Sequence, residues 1–317
     1  MSLGASVRLL MARTMSTVFA LEPPRLTINV TSGGSYTLGV DGEVWLKSGP
    51  TRLHGVELTP SAPLAHEAGH DELGGYQDVI QKYSCGPVAR CFTAIWRDYT
   101  PGVPLVLFLQ RHEAARSGTD VGGTVEQAKE QVLSAFPSFE IGRSSAEDLG
   151  YLVYYNQMVG GMENGTRFAR WLPGSQLVGG TRGGPYVLFN AKQTNALVLS
   201  PWSNAMAGSA VQRPSVRGRT SDSAHLEFGL LGSITSVPAG FEFTTAAYLG
   251  PGVNAAVRGF GAAMLEHYGK SGRAWENSGS RPDDISLSKL GYSTDNVCSA
   301  RTQTQPFSRR VCLNTSV

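Results

Sequence analysis

Short apolar runs separated by glycine-rich breaks recur along the chain from residue 26 onward. They read as β-strands over Leu26 to Thr31, Tyr36 to Val40, Glu43 to Leu46, Arg52 to Leu58, Asp78 to Tyr83, Phe92 to Tyr99 and Pro104 to Gln110. Further runs follow at Tyr151 to Asn156, Tyr186 to Asn190, Ala196 to Ser200, Leu226 to Ile234 and Phe241 to Leu249. Asp41-Gly42 between two such runs is a hairpin signal, because both turn positions must take positive φ. Many strands at short spacing predict a β-sandwich rather than strand-helix-strand units.

Only two segments show helical spacing. The first follows Thr124, with Gln127 completing a capping box and Ala128, Val132, Ala135 and Phe136 on one face up to Pro137. The second runs from Val253 to Tyr268, with Val253, Val257, Phe260, Met264 and Tyr268 at helical spacing and Gly269 as the stop. A polar stretch, Lys270 to Asp284, reads as a linker, and Leu287 to Ser293 as one more strand-like run. The residues from Val297 onward carry no periodicity. The predicted organisation is a leader or disordered N-terminus over 1–24, a β-sandwich over 25–250, a connecting helix and linker over 251–289, and a strand stump with a disordered tail over 290–317.

Composition supports this outline. Hydrophobic residues are 41% of the 317, and charged residues only 16%, enough apolar surface for a sizeable core. A net charge of +2 argues against nucleic acid as the main partner, and no apolar run reaches the length of a membrane span. The basic cluster Arg213, Arg217 and Arg219 has no interleaved aromatic and reads as a solvated loop. Cys85 and Cys91 are close enough in sequence to pair across a tight loop, whereas Cys298 and Cys312 lie in the tail. Sequons at Asn29, Asn164 and Asn314 permit a secretory route but do not establish one.

The sharpest motif is His66-Glu67-Ala68-Gly69-His70, an H-E-x-x-H pattern. On a helix, His66 and His70 would face one zinc ion, with Glu67 as general base. Pro60, Pro63, Gly69, Gly74 and Gly75 crowd the segment, so a loop is the expected setting and a zinc peptidase the rival reading. Sugar hydrolysis needs two facing carboxyl groups, and the spacing of Asp98, Glu113, Asp120, Asp283 and Asp284 pairs none of them. Trp45, Trp96, Trp171 and Trp202 are candidates for stacking on sugars, with core packing the commoner fate of each.

The run Leu290-Gly291-Tyr292-Ser293-Thr294-Asp295-Asn296 resembles the first barrel strand of glycoside hydrolase-like proteins. In these a large, supersandwich-like (galactose mutarotase-like) β domain precedes a (β/α)8 barrel. It is also loosely similar to the raffinose synthase and α-galactosidase group. Ala135 to Phe139, Gly184 to Phe189, Val198 to Asn204 and Tyr248 to Asn254 fit the same picture. The resemblance implies a carbohydrate partner, no cofactor, and substrate contacts from Asp295 and Trp202. Ser293 and Val297 depart from the tryptophan and glycine usual there. The family's catalytic carboxylates belong to later barrel strands that this sequence does not carry. The expectation is therefore the sandwich portion of a carbohydrate-active protein, catalytically incomplete as this chain, with a non-catalytic carbohydrate-binding module as the alternative.

Overall fold

The computed structural model describes residues 23–85, 88–117, 132–141, 149–155, 165–170, 181–182, 185–213 and 224–270. Most of these residues lie in antiparallel strands, as the sequence pattern predicts. The centre is a ten-stranded sheet. Its spatial order is Gly165–Arg170, Gly150–Tyr155, Tyr186–Phe189, Ala196–Pro201, Phe241–Gly250, Leu105–His112, Val88–Asp98, Gly74–Cys85 and Thr59–Pro60, with Ala65–Asp71 also paired to Gly74–Cys85.

The inner strands of this sheet are apolar at consecutive positions because both faces are buried. Side chains alternate across the pleat. Val106 and Phe108 therefore enter one core, with Leu188, Leu197 and Leu199. Leu105, Leu107 and Leu109 enter the other, with Val187, Ala196 and Val198. The first core is closed by smaller sheets. One contains Leu26–Val30, Tyr36–Val40 and Glu43–Lys47, and another contains Ser138–Glu140, His225–Leu230, Gly208–Arg213 and Thr181–Arg182. This is the sandwich-like layer.

Tyr36 joins these layers. Its ring lies 5.4 Å from Trp96, 5.6 Å from Phe108 and 5.9 Å from Phe139, centroid to centroid. Its hydroxyl donates to the Ser138 carbonyl and accepts from the Ser138 amide, both at 2.9 Å. Burial raises the Tyr36 pKa well above that of an ordinary phenol, so it stays a neutral donor.

The second core is covered by the helix Val253–His267, which contacts the strands Phe241–Gly250 and Ala196–Pro201. The sequence pattern points Val253, Val257, Phe260, Met264 and Tyr268 at the core. Phe260 is buried there, with Val253 and Met264 partly buried against the same core, but Ala256 and Ala263 are also buried, and Val257 and Tyr268 are exposed. Two alanines let the helix lie close to the sheet, and Phe260 is the bulky side chain buried most deeply between them. The first expected helix falls mostly outside the described residues. Its described end is extended: Val132 bridges Leu231, and Ser134–Ala135 is a strand paired with Arg52–Leu53. Pairing across the sandwich outweighs the helical spacing of Val132, Ala135 and Phe136.

The expected strand over Arg52 to Leu58 is a hairpin of two short strands, Arg52–Leu53 and Val56–Glu57. Cys85 and Cys91 form a disulfide with Cα atoms 5.8 Å apart. Arg213 ends the strand Gly208–Arg213, while Arg217 and Arg219 lie outside the described residues.

Candidate functional site

His66, Glu67 and His70 lie on the strand Ala65–Asp71, not in a loop or on a helix. His66 pairs with Val79 and His70 with Gly75. Four residues of strand separate the two imidazoles by about 13 Å, and Glu67 points to the opposite face. The zinc geometry of H-E-x-x-H is therefore not formed. Among the described residues no group of three or more His, Cys, Asp and Glu side chains is placed to hold a metal ion. The strand exists because Asp71 accepts the Leu73 amide at 3.0 Å, closing a tight turn into the long strand Gly74–Cys85.

Core packing, the commoner fate, is the outcome for each described tryptophan of the set. Trp45, Trp96 and Trp202 are all buried. Trp202 sits under the helix, 5.8 Å from Phe260 and 5.2 Å from His267, so it is a packing residue rather than a sugar platform. Trp171 and Asp295 lie outside the described residues, as do Asp120, Asp283 and Asp284. Asp98 accepts the Thr100 amide at 2.8 Å, and Glu113 accepts the Thr93 hydroxyl at 2.6 Å. Neither faces a second carboxylate across an open space in these contacts.

Two polar assemblies combine several charged or titratable side chains with partial burial. The first surrounds Arg97 on the face of the sheet that carries the helix. Its guanidinium forks onto both Asp78 oxygens at 2.9 Å and lies 3.7 Å from Asp71. The Tyr99 hydroxyl donates to Asp71 at 2.6 Å, and burial followed by the Asp71 charge raises its pKa. Burial works against the Arg97 charge, but Asp78 outweighs it and holds the guanidinium protonated. Each charge in this group has a protein partner, so the assembly is closed and structural.

The second assembly is an open cleft of about 500 Å³, lined by Leu53, His54, Val56, Glu57, Leu58, Thr59, Ser84, Cys85 and Arg116. One wall is the hairpin just described. His54 and Gly55 form its turn with φ of 52° and 74°, the left-handed pair that a two-residue hairpin demands. A non-glycine residue there costs about 1 kcal/mol. The His54 amide offsets it by donating to the Leu133 carbonyl at 2.8 Å. Arg52 fixes the hairpin base through an ion pair with the fully buried Glu227. The opposite wall is Ser84 and Cys85, tied by the disulfide, and Arg116 on a short strand paired with Ser236–Val237.

Near this cleft lies His112, fully buried between the rings of Phe92 and Phe241 at 5.4 and 6.3 Å. Neither imidazole nitrogen has a hydrogen-bond partner among the described residues. Burial, then the charge of Arg116, then that of His54, pushes its pKa down to about 4. It is a neutral imidazole at physiological pH.

The cleft offers hydroxyls from Thr59 and Ser84, an imidazole, a guanidinium and one carboxylate. These groups carry hydrogen-bond donors and acceptors of both kinds. Among the described residues Glu57 is the sole carboxylate in its lining, so they do not assemble the acid pair of glycoside hydrolysis there. Sequence reading missed this site because Arg52 to Leu58 looked like one strand. The X-Gly pair at His54-Gly55 was the available signal.

No family model matches the chain, and no curated protein matches it. Among solved structures, one described as "Crystal Structure Analysis of HI1317" is similar at a TM-score of 0.32 and 7% identity, covering 71% of this chain and 92% of that one. A likeness at that level carries no argument about this chain.

Proposed function

We propose that this chain is the sandwich portion of a glycoside hydrolase-like, carbohydrate-active protein, and that it binds a sugar in the His54–Arg116 cleft without cleaving it. The observation that carries this reading is the mixed polar lining around about 500 Å³, a volume within the range of small-ligand sites. Glu57 accepts from sugar hydroxyls, Thr59 and Ser84 donate or accept, and Leu53 and Leu58 offer an apolar floor to the ring's C–H face. The binding-module alternative with paired exposed tryptophans is less well supported, because Trp45, Trp96 and Trp202 are buried.

Calorimetric titration with a panel of mono- and oligosaccharides tests the reading. At least one sugar binds the wild-type protein, Glu57→Ala weakens it about tenfold or more, and chromogenic glycosides are not turned over. Absence of binding to every sugar, or binding indifferent to Glu57→Ala, overturns the assignment.

A further inference from the structure

Arg116 differs from the other cations whose partners are visible. Arg52, Arg97 and Arg111 each have a carboxylate partner. Arg116 is half-buried, forms no ion pair with a described residue, and its buried Nε has no hydrogen-bond acceptor among the described residues. A guanidinium partly withdrawn from water, with no counter-charge among the described residues, is costly, and native proteins rarely leave one so. Its position in the wall of an open cleft gives that charge access to a ligand.

His54 shares the lining with Arg116, and the charge of Arg116 acts on the buried His112 imidazole beside the cleft. Glu57, the lining's acid, is exposed on the hairpin whose partner strand carries Arg52. The cleft thus has an anion-seeking end at Arg116 and a hydroxyl-accepting group at Glu57.

Resting on the sugar-binding reading above, we infer that the ligand of this cleft is an anionic sugar, whose oxyanion is held by Arg116 while Glu57 takes its hydroxyls. The planar donor fork of arginine suits a carboxylate or a phosphate, with two parallel hydrogen bonds. The shared chemistry is an oxyanion attached to a polyhydroxy ring.

The test titrates the full chain with glucose, glucuronate, glucose 6-phosphate and inorganic phosphate at low and high salt. Wild type binds at least one charged sugar tenfold or more tighter than glucose, and the gap narrows with salt. Arg116→Gln abolishes the gap, and Arg116→Lys, which keeps the charge on a smaller head, restores part of it. The glucuronate and glucose 6-phosphate arms tell carboxylate from phosphate. Equal affinity for charged and neutral sugars, or a gap that survives Arg116→Gln, overturns the anion assignment and leaves the sugar reading standing. Failure of every sugar, or inorganic phosphate binding as tightly as the sugar phosphate, removes the sugar reading and this inference with it. Circular dichroism of both variants establishes that they are folded.

Discussion

The guanidinium of Arg97 lies flat against Tyr76, its central carbon 3.7 Å from the ring centroid. The same group forks onto Asp78, whose side chain is only 7% exposed. Removing the arginine strands a buried carboxylate. Arg97→Gln should cost about 3 kcal/mol, while Tyr76→Leu, which removes only the cation–π contact, should cost about 1 kcal/mol. Urea unfolding of both variants, with Asp78→Asn completing a double-mutant cycle, measures the difference. Equal losses would show that the carboxylate contributes nothing beyond packing.

His112 makes stability depend on pH. The folded protein binds a proton there only below about pH 4, because burial and the charges of Arg116 and His54 oppose it. The unfolded chain binds that proton near pH 6.5. Between these values unfolding takes up a proton, so stability falls as pH falls. The contribution is whole above pH 6.5 and is lost by about 3 kcal/mol on reaching pH 4. Denaturant midpoints at pH 7.5, 5.5 and 4.5 should decline in wild type. The decline should be shallower in His112→Phe, which keeps an aromatic ring between Phe92 and Phe241 and does not titrate.

Phe260 is the one bulky side chain that the helix buries against Trp202. Phe260→Ala should lose about 3 kcal/mol through the cavity it leaves. Trp202 emission should shift to the red as water reaches the ring, measured as the difference from the same change in a Trp202→Phe background. The Tyr268 hydroxyl still donates to the Trp202 carbonyl at 2.7 Å, so the end of the helix should remain docked.

Gly229 and Gly261 should respond in opposite directions to alanine. A Cβ on Gly229 would stand 1.6 Å from the Ser134 carbonyl oxygen. That backbone cannot retreat freely, because Leu133 and Phe136 amides bond the Leu230 and Phe228 carbonyls on either side. Gly229→Ala should therefore cost more than about 3 kcal/mol or yield insoluble protein. Gly261 has open space around its Cβ position in the helix, and Gly261→Ala should gain about 1 kcal/mol. Thermal melts of the two variants side by side decide both.

The sequence by itself determined seven of the ten strands of the central sheet and the place of its one described α-helix. In Leu105–Leu109, Tyr186–Phe189 and Ala196–Leu199 every side chain is apolar, and only a layer covered on both faces can bury all of them. The spacing of Val253 to Tyr268 likewise admitted one reading. Tertiary structure alone decided the rest. Ala65–Asp71 has no β-type pattern and became a strand because a tight turn laid it against Gly74–Cys85. Which edge of the inward helical face sank deepest, Ala256 and Ala263 rather than Val257 and Tyr268, depended on how closely the helix approaches the sheet. The cleft depended on a hairpin turn at His54 and a strand at Arg116 meeting across the fold. Local spacing carries no record of which distant side chains a sheet brings together, so the polar residues of this site were visible in the sequence and their proximity was not.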